Sequence, residues 1–223
     1  LYLEGEPFSP YRLLRSVKNR FGSTNEIGVF EMKGQGLVEV DNPSAAFLSQ
    51  RGDETIGSVV VPTFEGSRPL LIEVQALTNP TSFGLPRRTG NGVDFNRLLL
   101  ITAVLSRRAG LKLGNQDVLV NVTGGLKISE PAADLGIALA IASSFRDAGV
   151  DPHTTAVGEV GLSGEIRAVQ QLERRVSEAA RLGFKRCLVP KANTRIDVPA
   201  GVELISVGTL REAIRVGLIK NNQ

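Results

Sequence analysis

The sequence predicts an α/β domain of the α+β two-layer kind, preceded by a smaller unit, and three observations lead there. Two β-rich runs, Gly57 to Phe64 and Pro69 to Leu77, flank Glu65-Gly66-Ser67-Arg68, which has the composition of a hairpin turn. Helical and strand-like segments alternate from Asp94 onward, so an antiparallel start leads into α/β units. Pro131 to Phe145 is a helix of small residues, including Ala132, Ala133, Gly136, Ala138 and Ala142, a composition that suits a buried position.

The elements follow in order. Leu1-Tyr2-Leu3-Glu4-Gly5 is a short apolar strand with no room for a partner before it, and an isolated strand cannot bury its face, so the chain is expected to be a fragment. Tyr11 to Arg20 sets Leu13, Leu14 and Val17 among basic residues, which suits an amphipathic helix or a helix breaking into a strand before Phe21. Glu26 to Met32 and Gly36 to Val40 alternate as two hairpin strands around Lys33-Gly34-Gln35. Pro43 opens a short helix through Leu48, and Gln50 to Glu54 is a linker. The division is therefore residues 1–54 and 55–223.

Past the first hairpin of the main domain, Thr78 to Asn91 is rich in Pro, Gly, Thr and Arg and is expected to be an exposed loop. Leu98, Ile101, Val104 and Leu105 recur at helical spacing between Asp94 and Arg108, with Gly110 as the stop. Asp117 to Val122 is a strand ending at Gly124-Gly125. Val157 to Val169 holds two short strands around Ser163-Gly164. Gln171 to Leu182 is a helix stopped by Gly183, and Lys185 to Val189 and Val202 to Val207 are strands. Thr209-Leu210-Arg211-Glu212 matches a capping box at the start of the last helix.

Composition narrows the function classes. At 223 residues and 42% hydrophobic content the chain buries a substantial core. One cysteine, Cys187, forms no internal disulfide and fits a reducing compartment; its place before Leu188-Val189-Pro190 marks a buried strand residue. With no CxxC pair and one histidine, His153, a zinc site is not expected, and no apolar run of about 18 residues predicts a membrane span. His153 follows Asp151-Pro152 and reads as a surface residue. The net charge of +3 is unevenly spread: residues 87–112 carry 6 basic side chains against 1 acidic, and 163–223 carry 11 against 6. On one face these segments would form a patch attracting phosphates; scattered, they are a solvated surface.

Lys18-Asn19-Arg20-Phe21-Gly22, the opening Leu1 to Gly5 and the stretch Gly22 to Met32 resemble the bacterial RadA (Sms) family of DNA repair and recombination ATPases, and the resemblance covers the whole chain. It implies a fold like the proteolytic domain of Lon, the ribosomal protein S5 domain 2-like fold, preceded by a remnant of a RecA-like ATPase core. No GxxxxGK[ST] phosphate loop occurs, so ATP and Mg are implied only for a full-length protein, as is zinc for a missing N-terminal finger. The resemblance further implies DNA as partner, single-stranded or duplex, a RecA-type recombinase, a hexameric ring able to migrate branched joints, and a cytoplasmic location.

A Lon-type protease needs a serine nucleophile and a lysine to take its proton. The stretch matching the Gly-Pro-Ser-Ala-Gly turn is Glu130-Pro131-Ala132-Ala133-Asp134, so Ala132 stands at the serine position. Gln170 to Arg175 matches the lysine segment and puts Glu173 at the lysine position. Neither residue does the chemistry, and no catalytic residue is expected here. Ser129, two residues after Lys127, is read as a helix N-cap and Ser163 as a turn residue. A Ser/Lys peptidase with a displaced dyad and a monomeric DNA-binding module are the alternative readings.

In an extended segment Lys18 and Arg20 project to one side and reach a common polyanion. The resemblance, which extends to the Lys-x-Arg element of DnaB-like hexameric helicases, implies that they contact ATP held by a neighbouring subunit, Arg20 as an arginine finger. Lys18 and Arg20 are also DNA-binding candidates. Arg87 and Arg88, followed by Thr89-Gly90, suit phosphate contacts that read no bases, with Arg107, Arg108 and Lys112 as contributors.

Overall fold

The first unit of the computed structural model is a four-stranded antiparallel sheet; the described residues are 1–5, 10–16, 26–48, 56–82, 84–193 and 196–219. Its strands, β1 (Tyr2–Glu4), β2 (Tyr11–Arg15), β3 (Ile27–Lys33) and β4 (Gly36–Glu39), pair in chain order. The partner for β1 therefore follows it in sequence. Tyr11 to Arg15 is a strand rather than the start of a helix, because β1 and β3 hydrogen-bond it on both sides and Leu13 faces the core opposite Val29. Tertiary pairing overrides a pattern that fits a helix equally well. The 33–36 hairpin and the helix α1 (Pro43–Leu48) form as expected, while the linker from Gln50 to Glu54 lies outside the described residues.

The second unit is built on a seven-stranded mixed sheet. Its elements in chain order are β5 (Ser58–Glu65), β6 (Arg68–Pro80), β7 (Arg88–Asn91), α2 (Phe95–Val104), β8 (Gln116–Val122), α3 (Asp134–Arg146), β9 (Thr154–Ala156), β10 (Glu159–Val160), β11 (Ile166–Arg167), α4 (Leu172–Arg181), β12 (Arg186–Pro190), β13 (Glu203–Val207) and α5 (Leu210–Gly217). The strand order is β13-β12-β9-β5-β6-β8-β7. The β5-β6-β8 part is antiparallel; β13, β12, β9 and β5 run parallel, as β7 does to β8. Strands β10 and β11 make a separate hairpin.

Two expectations change. The exposed loop from Thr78 to Asn91 is shorter than its composition suggests: β6 continues to Pro80, and Arg88–Asn91 becomes an edge strand by parallel pairing with β8. Thr154–Ala156, which the sequence reading passes over, is an internal strand of the sheet, buried throughout between β5 and β12.

Alternate residues of β5 and β6 face two cores. Val59, Val61, Leu70, Ile72 and Val74 pack with α2, α3 and α5, whereas Val60 and Leu71 pack with Leu172, Val176 and Ala179 of α4. The sheet is thus covered on both faces, so α4 adds a layer to the two expected. Helix α3 is buried along nearly its whole length, and a Cβ on Gly136 would stand 2.2 Å from the Val61 side chain, which is why glycine is required there. Strand β8 pairs with β6 only from Val74 onward, leaving the Leu71 N–H open; the Ser44 hydroxyl of α1 accepts it at 3.1 Å and donates to Glu178. That contact, the burial of Phe47 of α1 in the main core and the ion pair between Arg15 of β2 and Glu65 of β5 seat the first unit on the second.

Candidate functional site

The cleft at the start of α3 is formed by a 3-10 turn, Pro131–Ala133, leading directly into the helix. Pro131 suits the first helical position, since its missing N–H would have no helical partner. Glu130, not Ser129, occupies the cap position, so the N-cap role expected of Ser129 is not found. Ala132 is buried and offers a methyl group to the cleft. From α4 the residues lining the cleft are Gln171 and Arg175, while Glu173 faces solvent.

Arg175 lines the cleft beside Glu130. Its guanidinium, 3% exposed, grips Glu130 through two hydrogen bonds of 2.6 and 2.7 Å and also donates to the Pro62 and Gln170 carbonyls. Glu130 further accepts from the Thr63 hydroxyl at 2.6 Å and the Phe64 N–H at 2.8 Å. Burial pushes the Glu130 carboxyl up, but Arg175, Thr63 and the Phe64 N–H outweigh it and hold the group below its ordinary value. Arg174 and Arg175 also stand over the Phe64 ring, at 5.0 and 4.6 Å.

Asp134, in the first turn of α3, is 1% exposed and ties that turn to two other elements. Arg97 of α2 binds it with both arms of its guanidinium, and the Val160 N–H of β10 donates to it at 3.0 Å. Burial raises its carboxyl, and these donors oppose the rise. The carboxylate is a structural brace here.

The second candidate is the basic end of the domain. Helix α2 continues into a π-helical turn, Leu105–Ala109, that ends at Gly110 with φ 78°. Arg107 and Arg108 stand exposed on it, and Arg211 of α5 donates to the Arg108 carbonyl at 3.0 Å. The basic segments 87–112 and 163–223 therefore meet. Arg215, one turn beyond Arg211, lines a shallow groove with it, together with Thr209 and Glu212. Arg107, Lys112 and Arg215 make no side-chain hydrogen bond or ion pair among the described residues. Arg211 and Arg215 were missed in sequence, although their spacing of four in a capped helix is the available signal.

Arg87 and Arg88 are committed elsewhere. The Arg87 backbone and guanidinium both donate to Asp117, the latter at 3.2 and 3.3 Å. Arg88 donates to the carbonyls of Gln116 and Leu113, and burial lowers its proton affinity. The flexible loop expected to carry them is pinned, although the Arg88 head ends beside Leu113, next to Lys112. Lys18 and Arg20 lie outside the described residues.

The remaining residues are quiet. Cys187 is buried in β12, where burial pushes its thiol up and the Thr155 hydroxyl donates to it at 3.1 Å. His153 is exposed in a turn, and Ser163 sits in the β10-β11 turn with its N–H on Glu165. Among the described residues there is no cluster of three metal-ligating side chains, and no helix is long and apolar enough to cross a membrane.

The family model for the subunit ChlI of Mg-chelatase matches residues 82–193. Over 219 residues the chain is 54% identical to the DNA repair protein RadA of Halalkalibacterium halodurans, covering 98% of this chain and 48% of that protein. The RadA of Bacillus subtilis is 53% identical over 221 residues, 98% of this chain and 48% of its own length. That of Streptococcus pneumoniae is 54% identical over 216 residues, 96% and 51% respectively. The chain spans about half the length of the curated relatives it matches.

Proposed function

Since the chain belongs to the family of the subunit ChlI of Mg-chelatase and is homologous along nearly its whole length to DNA repair proteins named RadA, we propose that it is the non-proteolytic, Lon-like part of a RadA-type DNA repair ATPase. Residues 1–54 are the end of the ATPase core and 55–223 the Lon-like domain. The domain serves as a scaffold for a hexameric ring and contacts DNA phosphates through Arg107, Arg108, Lys112, Arg211 and Arg215.

The observation that carries this reading is the cleft beside Ala132. A methyl group stands where a hydroxyl would be needed, and among the described residues lining the cleft the basic one, Arg175, has its guanidinium locked onto Glu130. Among the described residues lining it there is no serine, threonine, cysteine or lysine to act as nucleophile or base. The basic end presents the guanidinium and ammonium groups of Arg107, Lys112 and Arg215, which make no side-chain bond among the described residues and suit backbone phosphates without reading bases.

ATP use belongs to the whole ring. This chain's contribution is Lys18 and Arg20, reaching a nucleotide held by a neighbouring subunit and stabilising charge during phosphoryl transfer, with Mg bound by the rest of the protein. Zinc does not suit this chain, which has one cysteine and one histidine. A bacterial repair protein of this kind works in the cytoplasm, on recombination intermediates shared with a RecA-type recombinase.

The test is a fluorophosphonate probe combined with duplex binding across a salt series. The expected result is no serine labelling and a duplex affinity that falls with salt. Labelling of Ser129 or Ser163 would establish the displaced-dyad peptidase instead, and salt-independent binding would remove the basic end from the interface.

A further inference from the structure

The cleft that lost its chemistry is not filled. Beside Ala132 it encloses about 360 Å³, lined by Phe64, Pro131, Ala132 and Val169 on the apolar side and by Glu130, Glu159 and Arg175 as charged groups. That volume lies within the range of small-molecule and side-chain pockets, roughly 300–1,000 Å³.

Two features distinguish it from a packing defect. The first is Glu159 of β10. Arg175 and Glu130 cancel each other, but the Glu159 carboxylate is 34% exposed and its nearest cation is Arg167, 4.0 Å away and held more closely by Glu165 at 2.9 Å. No hydrogen bond reaches the Glu159 carboxylate among the described residues. A half-buried carboxylate lacking a donor is incompletely satisfied, and a cationic donor would complete it. The second is Gln171, which lines the cleft in the left-handed region at φ 53°, ψ 36°. A non-glycine residue held there stores strain of the kind that gathers at binding sites, and here Arg174 and Arg175 hold it by donating to its own side chain and to the Gln170 carbonyl.

We propose that this cleft binds an extended peptide segment of a partner protein, with an arginine or lysine head on Glu159 and its aliphatic stem along Ala132 and Ala168. The argument for a peptide over a small amine is the wall chemistry. The Gln170 and Gln171 side chains at the cleft suit amide groups, and Phe64, Pro131 and Val169 suit an apolar neighbour of the basic residue. Binding proceeds without cleavage, since no serine, threonine or cysteine is among the described residues lining the site, so a partner would be held and not processed.

The experiment measures fluorescence anisotropy of a fluorescein-labelled Gly-Ala-Arg-Ala-Gly peptide titrated with the full chain. Its citrulline counterpart, identical in shape and neutral, is the control. Saturable binding is expected for the arginine peptide, weakened at least tenfold by citrulline and by Glu159→Gln. Ala168→Trp, at an exposed lining position, should abolish it by filling the mouth, and circular dichroism establishes that both variants are folded. Equal affinity for the two peptides, an unaffected Glu159→Gln, or no binding up to about 1 mM overturns the proposal. Displacement by spermidine as readily as by unlabelled peptide would assign the site to small cations and overturn it as well.

Discussion

Arg175 and Arg215 are both arginines on helices of the same sheet, and their surroundings could hardly differ more. Arg175 is buried, and its guanidinium donates four hydrogen bonds to a carboxylate and two carbonyls. Arg215 is exposed and makes no side-chain bond among the described residues. At the cleft the Arg175–Glu130 pair holds the structure together, and at the basic end Arg107 and Arg215 are left available for a ligand. Charge counts alone cannot separate these uses; partners do.

The most severe way to break the cleft end is Arg175→Met, which leaves the half-buried Glu130 without its counter-ion. Breaking a buried pair from one side costs about 3–5 kcal/mol, whereas replacing both partners with apolar groups is close to neutral. Urea denaturation should therefore show a large loss for Arg175→Met and a substantial recovery in the double variant Glu130→Met/Arg175→Met. A double variant as unstable as the single one would mean that Arg175 acts by packing and not by pairing.

The same pair sets an acid limb of stability. Glu130 is held below its ordinary value of 4.5 in the folded protein, so its contribution is complete above that value and is lost as pH falls through the depressed folded value. Glu130→Gln should lower stability at pH 7 and flatten the decline toward low pH. An unchanged slope in acid would show that other carboxylates dominate there.

Smaller still is the loss at Ser44, whose hydroxyl accepts from the Leu71 N–H and donates to Glu178. Ser44→Ala leaves a buried donor open and should cost about 1–3 kcal/mol. Because α1 belongs to the first unit and Leu71 to the second, limited proteolysis should also cut more readily between residues 48 and 56. Unchanged proteolysis would mean that the burial of Phe47 in the main core and the Arg15–Glu65 pair suffice to seat the first unit.

How much of this was legible in the sequence depends on how far apart the partners lie. The Gly66-Ser67 turn and the Thr209 cap are local, and both stand as expected, with Glu212 N–H donating to the Thr209 hydroxyl at 3.2 Å. Even there the detail differs, since the Glu212 carboxylate accepts from Gly208 N–H instead of closing the box on Thr209. Tyr11–Arg15 and Arg88–Asn91 are strands because neighbours pair with them, and no short window reveals that. The cleft was half legible. The absence of a hydroxyl at Ala132 needed one residue, but the pairing of Arg175 with Glu130 spans 45 positions and the hydrogen bond from Arg211 to Arg108 spans 103. Composition announced two basic segments and could not say that α5 brings them together.

At the basic end the expected effects on stability are the smallest and those on binding the most specific. Replacing Arg107, Arg211 and Arg215 with alanine removes side chains that are largely solvated, so stability should change by no more than about 0.5 kcal/mol. The slope of log affinity for duplex DNA against log salt should become shallower by about 0.9 for each phosphate that is no longer neutralised. Arg87→Ala and Arg88→Ala provide the internal control, because Arg87 is already bound to Asp117 and Arg88 to three carbonyls. Their removal should leave the slope nearly unchanged while costing some stability at the β7 edge. The reverse pattern, a flattened slope for the 87/88 pair and none for the other three, would mean that DNA draws Arg87 and Arg88 out of their intramolecular bonds. The contrast between committed and available arginines would then describe only the unbound protein.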